Sequence, residues 1–108
     1  MTTTTAPDLS TAEFVYEVLV TDTRIYEVVG RTAATLKLRP TRSSGRSRRD
    51  ESCDQGAYGL SVVWDEQEPN PDGPVFTVRR RKDGTYRLGT NPLRPVVGTP
   101  ERRIDYRY

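Results

Sequence analysis

The chain alternates between short apolar runs and polar stretches, and no run shows the period of a helix. Residues 14–20 (FVYEVLV), 24–29 (RIYEVV) and 35–39 (TLKLR) are rich in β-branched and aromatic residues, with apolar and polar positions in alternation. This period of two is the pattern of a half-buried β-strand. The pattern therefore predicts three early strands, the third ending at Pro40, which cannot donate to a ladder.

The second half of the chain predicts a fourth strand and a hairpin. Residues 58–65 (YGLSVVWD) alternate in the same way, whereas residues 66–74 contain three prolines and a glycine and are predicted to be a connection. Residues 75–81 and 85–88 then flank a Lys-Asp-Gly turn. Asp-Gly between two such runs is a strong hairpin signal, because both positions tolerate a positive φ.

The polar stretches set the domain boundaries. Residues 1–12 show no apolar period and are predicted to be a flexible start, and residues 41–57 carry four arginines without a large aliphatic residue, as a mobile Arg/Ser-rich loop would. Residues 13–98 are then one small domain and residues 99–108 a C-terminal tail, and the chain after Gly89 is expected to be ordered but irregular. Five or six short antiparallel strands indicate an all-β sandwich or barrel. A small barrel is favoured, because closure removes the edge strands.

Several short motifs between residue 24 and the end of the chain form a recognisable set: YEVVG at 26–30, TLKL at 35–38, PNPDGP at 69–74, FTVR at 76–79, KDGTY at 82–86 and RRIDY at 102–106. The set resembles a group of uncharacterised small phage and prophage proteins, and its Asn-Pro-Asp-Gly-Pro stretch is the most specific part. The sequence departs from that group mainly in its Arg-rich loop. The resemblance implies an SH3-like or KOW-like barrel and a phage or prophage origin, and it brings no assigned activity and no catalytic residues.

The composition argues against catalysis. The 108 residues include no histidine, the commonest general base and metal ligand, and a single cysteine, Cys53, so that standard zinc sites are excluded. The densest carboxylate group, Asp65, Glu66 and Glu68, lies where a strand enters a Pro-rich loop and is expected to keep that loop solvated. We therefore predict a protein without enzymatic activity, metal or cofactor.

The expected compartment follows from the cysteine count and from hydropathy. A single cysteine cannot form an internal disulfide, which agrees with a reducing compartment. No apolar run approaches the length of a membrane span, and the Thr-rich start lacks the features of a signal peptide. We expect no membrane association and a cytoplasmic protein, in the host cell if the gene is phage-encoded.

Positive charge gathers in two places, although the net charge is only +2. One is the predicted loop, and the other is the predicted hairpin. Arginine suits bidentate phosphate contacts, and small β-barrels commonly bind nucleic acid with loop and hairpin cations. The predicted nucleic-acid-binding or phosphate-binding residues are Arg42, Arg46, Arg48, Arg49, Arg79, Arg80, Arg81, Lys82 and Arg87.

The aromatic residues divide between the surface and the core. Trp64 shares an alternating face with Leu60 and Val62, which favours a place in the core over a role as a stacking platform. The tyrosines expected to add stacking beside the basic surface are Tyr16, Tyr26, Tyr58 and Tyr86.

Two hypotheses for function remain open at this stage. The first is a non-enzymatic barrel that binds nucleic acid or another phosphate-bearing ligand through its arginines; the small net charge favours the plainer interpretation that these arginines only solvate exposed elements. The second is a phage accessory protein that binds a host or phage protein through a sheet edge, the 41–57 loop or the tail. A homodimer also remains open, because so small a core can require one.

Overall fold

The chain folds into two antiparallel sheets. The structure is a computed structural model that describes residues 9, 11–19, 22–49 and 62–105. The strands of this described part are β1 (Phe14–Val18), β2 (Thr23–Arg31), β3 (Thr35–Pro40), β4 (Arg42–Arg49), β5 (Val62–Glu68), β6 (Phe76–Arg79), β7 (Arg87–Leu88), β8 (Asn91–Pro95) and β9 (Glu101–Asp105). The predicted all-β class is confirmed. In the same residues, no helix has both the length and the apolarity that a membrane crossing requires.

The larger sheet is a nearly closed barrel. Its strand order is β6-β3-β2-β1-β8-β7, and the two edge strands, β6 and β7, lie close to each other. The turn between them is the predicted Asp-Gly turn, in which the backbone N–H of Arg81 donates to Thr85 (2.8 Å) and Gly84 has a φ of 85°. The flanking segments, however, pair with β3 and β8 rather than with each other as a regular hairpin. The presence of β8 at Asn91–Pro95 also corrects the prediction that the chain is irregular after Gly89.

The barrel interior is filled by the inward faces of these strands. Leu36 and Leu38 point inward from β3, as their alternation predicts, and Phe76 meets Tyr26 edge to face with ring centroids 5.5 Å apart. The buried cluster consists of Leu9, Val15, Tyr26, Leu36, Leu38, Val78 and Leu93.

The start of the chain contributes to this core. Leu9, within the segment predicted to be a flexible start, is 4% exposed, which corrects that prediction for this residue. Arg31 holds the segment in place, since its guanidinium donates to the carbonyl oxygens of Leu9 (3.4 Å) and Ala12. A single apolar side chain shows no period, so the pattern could not reveal it.

The smaller sheet has the order β4-β5-β9 and corrects three sequence predictions. Residues 42–49, predicted as part of a mobile loop, form β4. Residues 66–68, predicted as a connection, belong to β5, and residues 101–105, predicted as an irregular tail, form β9. The other residues of the predicted loop, with Cys53, and the predicted strand residues 58–61 lie outside the described part of the chain.

Polar side chains hold β4 against β5, and for this reason the strand has no apolar signature. The hydroxyl groups of Ser43 and Ser44 donate to Asp65 (2.9 Å) and Glu66 (2.7 Å). A bulge between Ser43 and Ser47 interrupts the ladder, with Gly45 at a φ of 89°. A hydrogen-bonded ladder needs backbone groups and satisfied side chains, not apolar residues.

Thr41 is one of the residues that join the two sheets. Thr41 lies between β3 and β4, and its backbone N–H donates to the carbonyl oxygen of Ile25 (3.2 Å). The Thr41 hydroxyl lies 2.8 Å from the same oxygen and 2.9 Å from Oε1 of the buried Gln67. Ile25 faces away from the barrel and is nevertheless 4% exposed, since the second sheet packs against β2 there.

Candidate functional site

A group of exposed cations lies at one end of the barrel. Arg79 ends β6 opposite Thr35, and the backbone N–H of Arg80 extends that pairing to Ala34 (2.8 Å). Lys37, on the outward face of β3, is the diagonal neighbour of Arg79 at about 7–8 Å. We call this group the hairpin patch; its members are Lys37, Arg79, Arg80, Arg81 and Lys82, all exposed.

The charge of the hairpin patch is little neutralised. Among the described residues, no carboxylate forms an ion pair with any member of the patch. The guanidinium of Arg81 donates to the carbonyl oxygen of Gly89, which fixes that side chain across the turn. Cations without a protein counter-charge are available to a ligand's phosphates.

The turn that presents the patch is held by its own side chains. The hydroxyl and the backbone N–H of Thr85 both donate to Asp83, at 2.6 and 3.0 Å, and these hydrogen bonds hold the pKa of Asp83 below its usual value. Arg87 lies 3.7 Å from the other oxygen of this carboxylate. Arg87, a predicted site residue, therefore has an acidic partner within the turn.

The cations predicted for the loop lie on β4 and are differently placed. Arg42 pairs with Glu68 (3.0 Å), and Arg48 makes a bidentate pair with Glu101 (2.9 and 3.1 Å). Arg46 is exposed, whereas for Arg49 only the backbone is described, paired with Val63 on β5. Two of the four predicted loop cations thus have carboxylate partners.

The structure does not bring the two predicted basic features together. Arg79 lies beside Thr35 at the start of β3, and β4 begins beyond Pro40 at its other end. The five-residue step from Thr35 to Pro40 spans about 17 Å in an extended strand. The cations that the sequence predicted as one surface therefore lie on two different sheets, and the hairpin patch carries the less neutralised charge.

A groove between the barrel and the second sheet brings the predicted stacking residue Tyr16 together with Trp64, which was predicted to lie in the core. It has a volume of about 490 Å³, and both Tyr16 and Trp64 line it. Trp64 is half-buried, so its predicted place in the core is wrong, whereas Val62 on the same strand is fully buried. No sequence signal could have shown this, because the groove depends on how the second sheet packs.

The other predicted stacking tyrosines are placed differently. Tyr86 is half-buried and packs against the barrel core, and Tyr58 lies outside the described residues. Tyr26 is buried, and its hydroxyl donates to Glu17 (2.9 Å), whose other oxygen accepts from the side chain of Asn91 (2.7 Å). Tyr26 therefore belongs to an interior polar cluster and not to a binding surface.

This cluster makes stability depend on pH. Burial, followed by the hydrogen bond to Glu17, raises the pKa of Tyr26 above its ordinary 10.0, and Arg24 offsets part of the shift. The folded protein keeps the proton at pH values where the unfolded chain has lost it. This stabilisation is present below about pH 10 and is lost as the pH rises through the pKa of the folded state.

We expect the free energy of unfolding, measured by urea titration between about pH 8 and 11, to fall more steeply for the natural chain than for Tyr26→Phe. The difference in slope is at most about 1.4 kcal/mol per pH unit for one proton. Tyr86→Phe is the matched control, because it removes a tyrosine outside this cluster. Equal slopes for the natural chain and Tyr26→Phe would contradict the assignment.

Comparison with known proteins adds no assignment to this geometry. The chain matches no protein-family model, and it shows significant similarity to no curated protein and to no solved structure. Fold and site together define a small all-β protein with a nearly closed barrel and a cationic turn. In the described residues, no group of three or more potential metal ligands is gathered.

Proposed function

We propose that the protein is a non-enzymatic binding module whose hairpin patch binds nucleic acid or another phosphate-bearing ligand. The observation that carries the proposal is the exposure of Lys37, Arg79, Arg80, Arg81 and Lys82 at one end of the barrel without acidic partners among the described residues. Each phosphate that such a cation contacts releases condensed counterions, so affinity comes largely from charge and depends on salt.

The same geometry limits how the patch can recognise its ligand. Its cations lie on a strand end and a tight turn, and contacts of this kind bind phosphates without reading bases. We therefore infer binding with little dependence on sequence. The phage or prophage origin and the cytoplasmic location remain predictions from the sequence.

The alternative, docking of a protein partner on a sheet edge, has weaker support. In the described residues, β4 and β9 are the two edge strands of the second sheet, and β4 is the longer edge for an added strand. The bulge between Ser43 and Ser47 breaks the regular spacing of its backbone groups, and its arginines repel a second copy. Natural edges are protected from pairing by these two devices.

We expect Arg79→Ala with Arg80→Ala to weaken binding of labelled oligonucleotides roughly tenfold to a hundredfold at about 50 mM salt. The dependence of log affinity on log salt, measured by fluorescence anisotropy between about 50 and 200 mM, should become shallower by about 1.8 on duplex DNA and by about 1.4 on single strands, since each phosphate contact contributes about 0.9 or about 0.7 respectively. Single- and double-stranded DNA and RNA should all show the change.

The matched control is Arg42→Ala with Arg46→Ala, which removes the same charge from the second sheet. We expect this control to reduce affinity much less. Absence of binding by the natural chain at low salt would overturn the proposal. An equal loss in both double variants would show that net charge, and not the hairpin patch, accounts for the binding.

A further inference from the structure

The groove between the barrel and the second sheet has a composition unlike that of the hairpin patch. It is lined by the chain's only tryptophan, Trp64, from the second sheet and by Tyr16 from the barrel. The guanidinium carbon of Arg48 lies 5.6 Å from the centroid of the Trp64 ring, and the Glu101 carboxylate accepts two hydrogen bonds from the same guanidinium. The groove thus presents aromatic and guanidinium planes that are held in position without a ligand.

The strand register adds further cations around these rings. Trp64 is paired with Arg48 on β4 and with Arg103 on β9, so an arginine flanks it on each side. On the barrel wall, Tyr16 is paired with the exposed Arg94 on β8. Directly paired residues share one face of a sheet, so each aromatic ring has a cation as its immediate lateral neighbour.

The described lining of the groove carries one cation and one carboxylate, and further positive charge lies beside it on Arg94, the strand partner of Tyr16. Glu101 is the carboxylate among its lining residues, and Arg48 engages both of its oxygens. Arg94 has no ion pair among the described residues. Aromatic planes interleaved with arginines match a ligand that joins a flat ring to a negative group: the ring stacks, and the phosphate meets the cation.

We propose that this groove binds unpaired nucleobases together with their phosphates, as found in a nucleotide or in single-stranded nucleic acid. The base stacks against Tyr16 and the Arg48–Trp64 pair, and Arg94 contacts the phosphate. The inference goes beyond the function proposed above and does not rest on it, because β2 and β3 separate the groove strand β1 from the patch strand β6. An apolar peptide fits the groove less well, since it gives Arg94 no counter-charge.

The single tryptophan allows a direct test on the full chain. Trp64 fluorescence is titrated with thymidine 5′-monophosphate, with a thymidine octanucleotide, with a duplex of the same length, and with a proline-rich peptide. We expect saturable quenching by the octanucleotide, weaker saturable quenching by the mononucleotide, and neither effect from the duplex or the peptide, because stacking needs an unpaired base. Equal affinity for the mononucleotide and the octanucleotide would identify a free nucleotide as the ligand.

Variants separate the groove from the hairpin patch. Tyr16→Leu should lower the affinity for the octanucleotide at least about fivefold. Tyr16→Phe keeps the aromatic ring and should bind the octanucleotide with the affinity of the natural chain. Arg94→Gln should make the affinity for the octanucleotide less dependent on salt concentration. Arg79→Ala with Arg80→Ala should leave the mononucleotide titration unchanged. Circular dichroism establishes that each variant remains folded.

Several results would overturn the inference. They are the absence of quenching by any single strand, equal quenching by the duplex, quenching by the peptide alone, and an unchanged titration in folded Tyr16→Leu. If quenching by the octanucleotide persists while Arg79→Ala with Arg80→Ala leaves every anisotropy titration unchanged, the groove proposal stands and the patch proposal is overturned. The reverse result would remove the groove and retain the patch, so the two proposals fail separately.

Discussion

Leu38→Ala is expected to lower the free energy of unfolding by about 2–5 kcal/mol. Leu38 is 0% exposed and lies in the middle of the barrel, where β3 pairs with Val28 on one side and Phe76 on the other. Truncation removes the transfer free energy of three carbon atoms and leaves a cavity that close-packed neighbours cannot fill. The free energy of unfolding of a small domain is only about 5–15 kcal/mol in total. We therefore expect the melting temperature to fall by about 10 °C or more.

Urea unfolding followed by circular dichroism measures this change. Val97→Ala is the control, because Val97 is 91% exposed and its truncation should alter stability by less than about 0.5 kcal/mol. A loss below about 1 kcal/mol in Leu38→Ala would mean that the barrel interior is not closely packed at this position.

Glu17→Ala should lower the free energy of unfolding by nearly as much, about 2–4 kcal/mol, although it replaces an acidic side chain and not an apolar one. Glu17 is 6% exposed, and its carboxylate accepts from Tyr26 and Asn91. Truncation leaves the buried Tyr26 hydroxyl and the half-buried Asn91 amide without this acceptor, and an unsatisfied buried donor costs about 1–3 kcal/mol. Glu17→Gln should cost less, since its amide oxygen still accepts from the Tyr26 hydroxyl.

A double-mutant cycle isolates the interaction. If Glu17 and Tyr26 are coupled as the 2.9 Å contact indicates, the losses in Glu17→Ala and Tyr26→Phe should differ from additivity by about 0.5–3 kcal/mol. Additive losses would show that the carboxylate and the phenol act independently. Denaturant titration of the two single variants and the double variant supplies all the values needed.

The strands that line the barrel could be predicted because their side chains report their environment. In β3, Leu36 and Leu38 alternate with exposed or half-buried positions, and this alternation is visible in one sequence. The Asp-Gly turn could also be predicted, since Gly84 adopts the positive φ that the turn requires. Both features depend on neighbours that are close in the chain.

The second sheet could not be predicted for the opposite reason. Serine hydroxyls and arginines on β4 find their partners on β5, some twenty residues away, and on β9. Local composition marks such a strand as a solvated loop. The same limit applies to the site. The sequence identifies each cation, but it does not show which of them have carboxylate partners. The strand register shows that Arg48 forms an ion pair with Glu101, whereas the hairpin patch has no such partner among the described residues.

The pairing of β1 with β8 has a consequence for synthesis. Val15 lies opposite Pro95, so the barrel can close only after the last third of the chain has been made. At about 5–20 residues per second, several seconds pass between the emergence of β1 and that of β8. During this interval one edge of β1 is unpaired on the ribosome and open to aggregation or to chaperones. Completion of β8, and not formation of the early strands, therefore sets the earliest moment at which the barrel can fold.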